Sequence, residues 1–137
     1  MRRYLLDAGP LAALLAGRTA AVELMTPWLR QRETATSTLV YGEVLEHIKG
    51  FQNYSSRRLA LRTLLLRVYP YGLTMQTMEH YADIRRSLRP PYGPGLIGDL
   101  DTLIAATAIE HGFTLVTTDS DFQRVPGLQT QIVTLRR

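Results

Sequence analysis

The sequence predicts an α/β fold, a three-layer sandwich whose mainly parallel central sheet of four to five strands is flanked by helices. Three observations predict it. Short apolar runs alternate with stretches of helical character, the order that builds a parallel sheet from crossover units. At 137 residues, 45% hydrophobic and 20% charged, the chain has the size and composition of one globular domain with a single core. Acidic residues stand at the ends of the predicted strands, where open parallel sheets bind ligands.

Residues 3–6 (RYLL) form a short apolar run ending at Asp7, as a buried parallel strand does. Arg2 and Arg3 before "YLLDAGPLAALLAG" superficially suggest a secretory leader, but Asp7, Gly9 and Pro10 interrupt its apolar centre. Pro10 suits the first turn of a helix that runs to about Ala16 and closes at Gly17. A second helix covers residues 20–32, with Pro27 as a break or kink. Residues 34–37 (TATS) read as a strand, followed by a helix over 39–48 that Gly50 stops.

Residues 55–67 are strongly helical, with Leu59, Leu61, Leu64, Leu65 and Val68 on or near one face and arginines opposite. Residues 68–73 are β-like, and Thr74 caps a helix reaching about Leu88. "RPPYGPG", residues 89–95, is the clearest loop. The helix of "GDLDTLIAATA" follows, with Gly112 just past its end, then a strand over 113–117. A turn at 119–122 leads to a last strand near 132–135.

The absence of cysteine excludes disulfides and thiolate metal sites, and it fits a reducing cytoplasm. No stretch approaches the roughly 18 apolar residues a membrane span requires. The net charge of +4 is carried almost wholly by arginine, Lys49 being the one lysine. Arginine's planar fork matches phosphate oxygens, which favours a polyanionic partner, although a GC-rich genome produces the same bias. His47, His80 and His111 lack metal-ligand spacing, and His111 suits a helix C-terminus. No glycine-rich phosphate loop, nucleophile elbow or CxxC is present.

Asp7 and Asp119 end strands, Glu43 lies in the first two turns of a helix after a strand, and Asp99 and Asp101 open the late helix. Four carboxylates from distant segments therefore converge in this reading. Crowded carboxylates raise one another's pKa, and a divalent cation resolves the conflict. Mg²⁺ or Mn²⁺ prefers oxygen ligands, and a water it acidifies attacks phosphodiesters. Structural alternatives stand beside each residue. One of the late pair caps its helix, and Asp99 is assigned that role with Asp101 facing inward. Asp121 reads as a turn residue, Asp7 could be one too, and Glu46 competes with Glu43.

These residues resemble the PIN-domain family, and within it the VapC-type toxins of prokaryotic toxin–antitoxin pairs, over nearly the whole chain. "YLLDAGPLAALL" resembles the opening strand with its acid at Asp7, and "TSTLVYGEVLEHI" the second motif with Glu43. "DTLIAATAIEHGFTLVTTDSDF" resembles the most specific part, placing acids at Asp101 and Asp119. The resemblance implies a single PIN-like nuclease domain over 1–137, and a Mg²⁺- or Mn²⁺-dependent endoribonuclease with one or two ions. It implies cation coordination chiefly by Asp7 and Asp101, with Glu43 and Asp119 completing the pocket and Asp99, Asp121, Thr118 and Ser37 as supporting polar groups. A VapB-like antitoxin, RNA as substrate and a homodimer follow from the same resemblance. Many members carry asparagine two residues after the first acid, where this chain has Gly9. Arg85, Arg86 and Arg89 are candidates for the RNA backbone, or a solvated helix face, and Trp28, Leu39 and Leu45 for an apolar antitoxin groove. A catalytically idle PIN-like binding module, or a metal-dependent phosphatase or DNA nuclease using the same pocket, are the competing functions.

Overall fold

The computed structural model describes residues 1–135. The elements in chain order are β1 (Tyr4–Leu6), α1 (Ala8–Leu15), α2 (Thr19–Arg30), β2 (Thr34–Ser37), α3 (Thr38–Ile48) and α4 (Tyr54–Leu64). After them come β3 (Tyr69–Tyr71), α5 (Met75–Leu88), α6 (Asp99–His111), β4 (Thr114–Thr117), a 3-10 turn over Ser120–Arg124, and β5 (Gln129–Ile132). The strands form one parallel sheet in the order β3-β2-β1-β4-β5, flanked by the helices, as the sequence predicts. β1 is central. The chain steps outward from it to β2 and β3, then returns to its other side for β4, so the carboxyl end of β1 lies at the switch point of the sheet.

The core sits between the sheet and the helices. Leu5, Leu6, Ala35, Leu115 and Val116 are wholly buried from the strands, with Ile104, Ala105, Ala106 and Ala108 from α6. The alanines let the backbone of α6 approach its neighbours closely, which holds its N-terminal turn in a fixed place. α1 packs against α2, α3 and α4, while α5 lies along α6.

Several helix ends follow the expected chemistry. Ser37 caps α3, its side chain accepting from the Leu39 N–H at 3.0 Å. Thr74 caps α5 in a reciprocal box with Thr77. Gly112 ends α6 at φ +70°, the left-handed conformation glycine adopts without a steric penalty.

Four expectations need correction. α2 continues through Pro27 as far as Arg30. Proline here removes only the bond to the Glu23 carbonyl near the end of the helix, and Thr26 Oγ1 donates to the neighbouring Val22 carbonyl. α4 stops at Leu64, and Leu59 is 65% exposed, because that helix turns Leu61 into the core, with Tyr54 and Leu64 half-buried against it, and leaves Leu59 on its open face. β3 is shorter than expected and leaves Leu73 exposed. The last strand is Gln129–Ile132, earlier than the apolar residues suggested, since it is an edge strand with half-open faces that accepts Gln and Thr.

Candidate active site

Asp7 follows β1 without a break. Its N–H donates to the Val116 carbonyl at 2.9 Å, extending the β1–β4 ladder by one residue beyond the Leu6–Val116 pair. Asp7 therefore stands opposite Thr117. The hydroxyl of Thr117 donates to Asp7 Oδ2 at 2.7 Å and accepts from the Asp119 N–H at 3.1 Å. Thr117 is wholly buried and Asp7 is 9% exposed, so one hydroxyl joins the first acid to the backbone of the fourth in a place that excludes water.

Glu43 lies on the second turn of α3, and Asp101 on the first turn of α6. The electrostatics show that these acids share one region. Burial pushes the Asp7 carboxyl above its ordinary value, and the Asp119 charge adds to this, against hydrogen bonds from Thr117 and the Ala8 N–H. Glu43 is raised to about 7, first by burial, then by Asp7, Asp101 and Glu46. Burial also raises Asp101, with Asp7, Asp119 and Asp121 adding to it. Four acids distant in sequence thus form a bowl in which negative charge is costly.

Glu43 Oε1 is buried and has no hydrogen-bond partner. An unpartnered buried carboxylate oxygen in the field of other carboxylates is a kind of donor that hard cations take up. Among the described residues no three His, Asp or Glu side chains stand close enough to hold a metal ion as they are. The arrangement suits Mg²⁺, which binds through one or two carboxylates and keeps several waters, better than a closed all-protein cage.

The flanking residues divide. Asp121 donates its N–H to Asp119 Oδ1 at 2.9 Å and pairs with Arg124 at 3.7 Å, so it is a turn residue that also adds charge beside Asp101. Asp99 is not the helix cap: Gly98 holds that position, and no side chain caps α6. Asp99 is the first helical residue and accepts from Arg85 Nη1 at 2.7 Å and from the Tyr81 hydroxyl at 3.3 Å. Arg85, expected on the RNA backbone, is thereby tied to α6, while the guanidinium of Arg86 lies 5.9 Å from the Tyr92 ring centroid and Arg89 is exposed. Ser37 is buried in its cap, and Glu46 is exposed one turn beyond Glu43.

Thr118, expected as a helper, is exposed, and Thr117 makes the contact with Asp7 instead. The signal was in the strand period. Side chains alternate along β4, and the ladder puts position 117, not 118, beside position 7. Thr118 meets the backbone of Gly9, where an added Cβ would lie 2.9 Å from its Oγ1. Gly9 is therefore matched to its neighbour: a side chain there requires Thr118 to turn away. Trp28 stacks on Tyr4 at a centroid distance of 4.0 Å, and Leu39 and Leu45 pack on the core. None of these three lines the cavity of about 690 Å³ between α1, α3 and α4.

Known proteins share this arrangement of elements. The chain is 29% identical over 136 residues, 94% of its length and 95% of the relative's, to Ribonuclease VapC1 of Rickettsia felis. Its fold matches VapBC2 from Rickettsia felis, solved bound to a DNA fragment from their promoter, with a TM-score of 0.83 and 22% identity, covering 96% of this chain and 98% of that one. DNA-bound VapBC from Salmonella typhimurium matches with a TM-score of 0.79 and 18% identity, again over 96% and 98% of the two chains. The family model described as PIN domain covers residues 4–128, a span that contains Asp7, Glu43, Asp101 and Asp119 together with β1 to β4, and stops just before β5. With its parallel sheet, its acids at the switch point and that match, the chain belongs to the PIN domain family.

Proposed function

We propose that the chain is an endoribonuclease dependent on Mg²⁺ or Mn²⁺, acting as the toxin of a VapBC-type pair. The observation that carries this reading is the bowl of Asp7, Glu43, Asp101 and Asp119, in which each of the first three is raised by burial and by its neighbours. Asp7 and Asp101 would hold the cation, with Glu43 and Asp119 completing the pocket for one or two ions. When bound, the cation neutralises the bowl and supplies a water acidic enough to attack a phosphodiester.

The chain's own groups do the rest. Thr117 fixes the rotamer of Asp7 through its hydroxyl. Glu43, whose Oε1 is buried and unpartnered, or Asp119 would orient the attacking water and take its proton, or help to hold a second ion. The first turn of α6 carries Asp101 into the field of Asp7. The arginine-rich surface supplies the attraction for RNA, and the reading includes a VapB-like antitoxin as inhibitor, a homodimer as the assembly and the cytoplasm as the compartment. The Rickettsia felis relative named a ribonuclease, and the VapBC complexes of like fold, support it.

The test is cleavage of RNA by purified protein in Mg²⁺ or Mn²⁺, beside Asp7→Asn and Asp101→Asn. Each substitution is expected to reduce cleavage by about 10²-fold or more, the order of several kcal/mol of transition-state charge stabilisation. Variants that cut as well as the wild type would assign the activity to a contaminant and end the proposal.

A further inference from the structure

An RNA strand that lays a phosphodiester over the acids has to leave the bowl along the surface, and the fold provides a path. Gly9, two residues after Asp7, is among the residues lining a cavity of about 690 Å³ between α1, α3 and α4. His47 lines it one turn after Glu43, so a single face of α3 carries the acid and then the groove wall. Ala12, Ala16 and Gly17 floor it with nothing beyond a Cβ, leaving room for a chain to lie close.

Its rim is cationic and aromatic. Phe51 is 40% exposed, with the Arg57 guanidinium 4.3 Å from its ring centroid and the His47 ring edge-on at 5.5 Å. Arg57 Nε is held by Asn53 Oδ1 at 2.8 Å, and Arg18 stands at the far end. Among the described residues neither arginine pairs with a carboxylate. An exposed ring beside guanidinium groups that pair with no carboxylate among the described residues, in a groove that reaches Gly9 near the first acid, has the chemistry of a single-strand platform: stacking for bases, cations for phosphates.

We propose that this groove is a subsite for single-stranded RNA on one side of the cut, with Phe51 stacking a base and Arg57 and Arg18 tracking phosphates. The inference rests on the nuclease reading above and names where its substrate lies. It favours RNA over a protein segment because, among the described residues, Arg18 and Arg57 have no carboxylate partner, and because the groove reaches Gly9, two residues after Asp7.

The test measures the affinity of a fluorescent single-stranded oligoribonucleotide by anisotropy, in the Asp101→Asn background so that nothing is cut. Phe51→Ala is expected to weaken binding by about tenfold. Arg57→Ala is expected to lower the slope of log affinity against log salt by about 0.7, whereas Arg57→Lys keeps the slope. Arg62→Ala, on the same helix outside the groove, changes affinity by less than about twofold because an exposed charge at a distance is screened. Melting temperatures confirm that each variant folds. Unchanged affinity and slope in the Phe51 and Arg57 variants would overturn the proposal. So would RNA affinity kept while neutralisation by the cognate antitoxin is lost, which would make the groove a protein-binding one. If the wild type binds RNA through these residues but cuts none, the groove stands and the nuclease reading alone falls.

Discussion

Thr117 shows how much depends on one hydroxyl. Thr117→Val keeps the shape but removes the donor to Asp7 Oδ2 and the acceptor for the Asp119 N–H. The hydrogen bond opposes the effect of burial on Asp7, so its loss raises that carboxyl further. The acid limb of the pH–rate profile is expected to move to higher pH with cleavage about 10- to 100-fold lower, while Thr117→Ser keeps both near wild type. An unshifted profile for the valine variant would remove Thr117 from the account. Glu43 supplies a second prediction. Folded and metal-free, it keeps its proton up to about pH 7, against an ordinary value of 4.5. The folded state then binds more protons than the unfolded one within that window, so stability is greatest at its acid end and falls as pH rises through it. Urea midpoints in chelator should decline over that range, and the decline should shrink in Glu43→Gln. Asp7, Asp101 and Asp119 stood out in the sequence because each ends or opens an element, and Glu43 because it lies in the first two turns after a strand. Thr117 was not singled out, because choosing between two adjacent threonines needs the register of a ladder with a strand 110 residues away. Asp99 was misjudged because its partner, Arg85, comes from another helix.

At the scale of elements, the pairing of α5 with α6 fixes the turn that carries Asp101. At the far end of that pair, Glu110 of α6 accepts from the hydroxyls of Thr74, at 2.7 Å, and Thr77, both at the N-terminus of α5. Burial works against the charge, but these two bonds, helped by His111 and His80, hold Glu110 below its ordinary value. An anion at a helix N-terminus is favoured as well. Thr77 is wholly buried, so Glu110→Ala removes the charged partner of a hydroxyl that water does not reach and is expected to lower stability by about 1–3 kcal/mol, read as a shift in urea midpoint with unchanged slope. The contribution is present above the unfolded value of 4.5 and is lost as pH falls through the lowered one, so the variant's deficit should shrink in acid. A deficit that persists unchanged at low pH would show that packing, not the carboxylate, joins the helices. The helices and most strands followed from periodicity, and the start of α5 and the end of α6 from Thr74 and Gly112. The last strand and the exposed face of α4 did not, since an edge position or a half-covered helix leaves its residues free of the core pattern.

Across the whole molecule, the order β3-β2-β1-β4-β5 converts separation in sequence into proximity. Central β1 presents Asp7 at the sheet's carboxyl edge, β4 brings Thr117 and Asp119 beside it, and α3 and α6 bring Glu43 and Asp101 from either side. The alternation of strands and helices announced this class of fold. The groove was not announced, because three helices have to meet before Ala12, His47 and Arg57 border one space. The basic balance of +4 favours a polyanionic partner, and the proposed divalent ion would neutralise the acids at the sheet's carboxyl edge. The central claim, that these acids gather to hold a divalent ion, is tested most directly by calorimetric titration of metal-free protein with Mn²⁺ near pH 6.5 in buffers of different ionisation enthalpy. The account predicts saturable binding with release of protons from the raised carboxyls, both abolished in the Asp7→Asn, Asp101→Asn double variant. Binding and proton release that survive in that variant would contradict it.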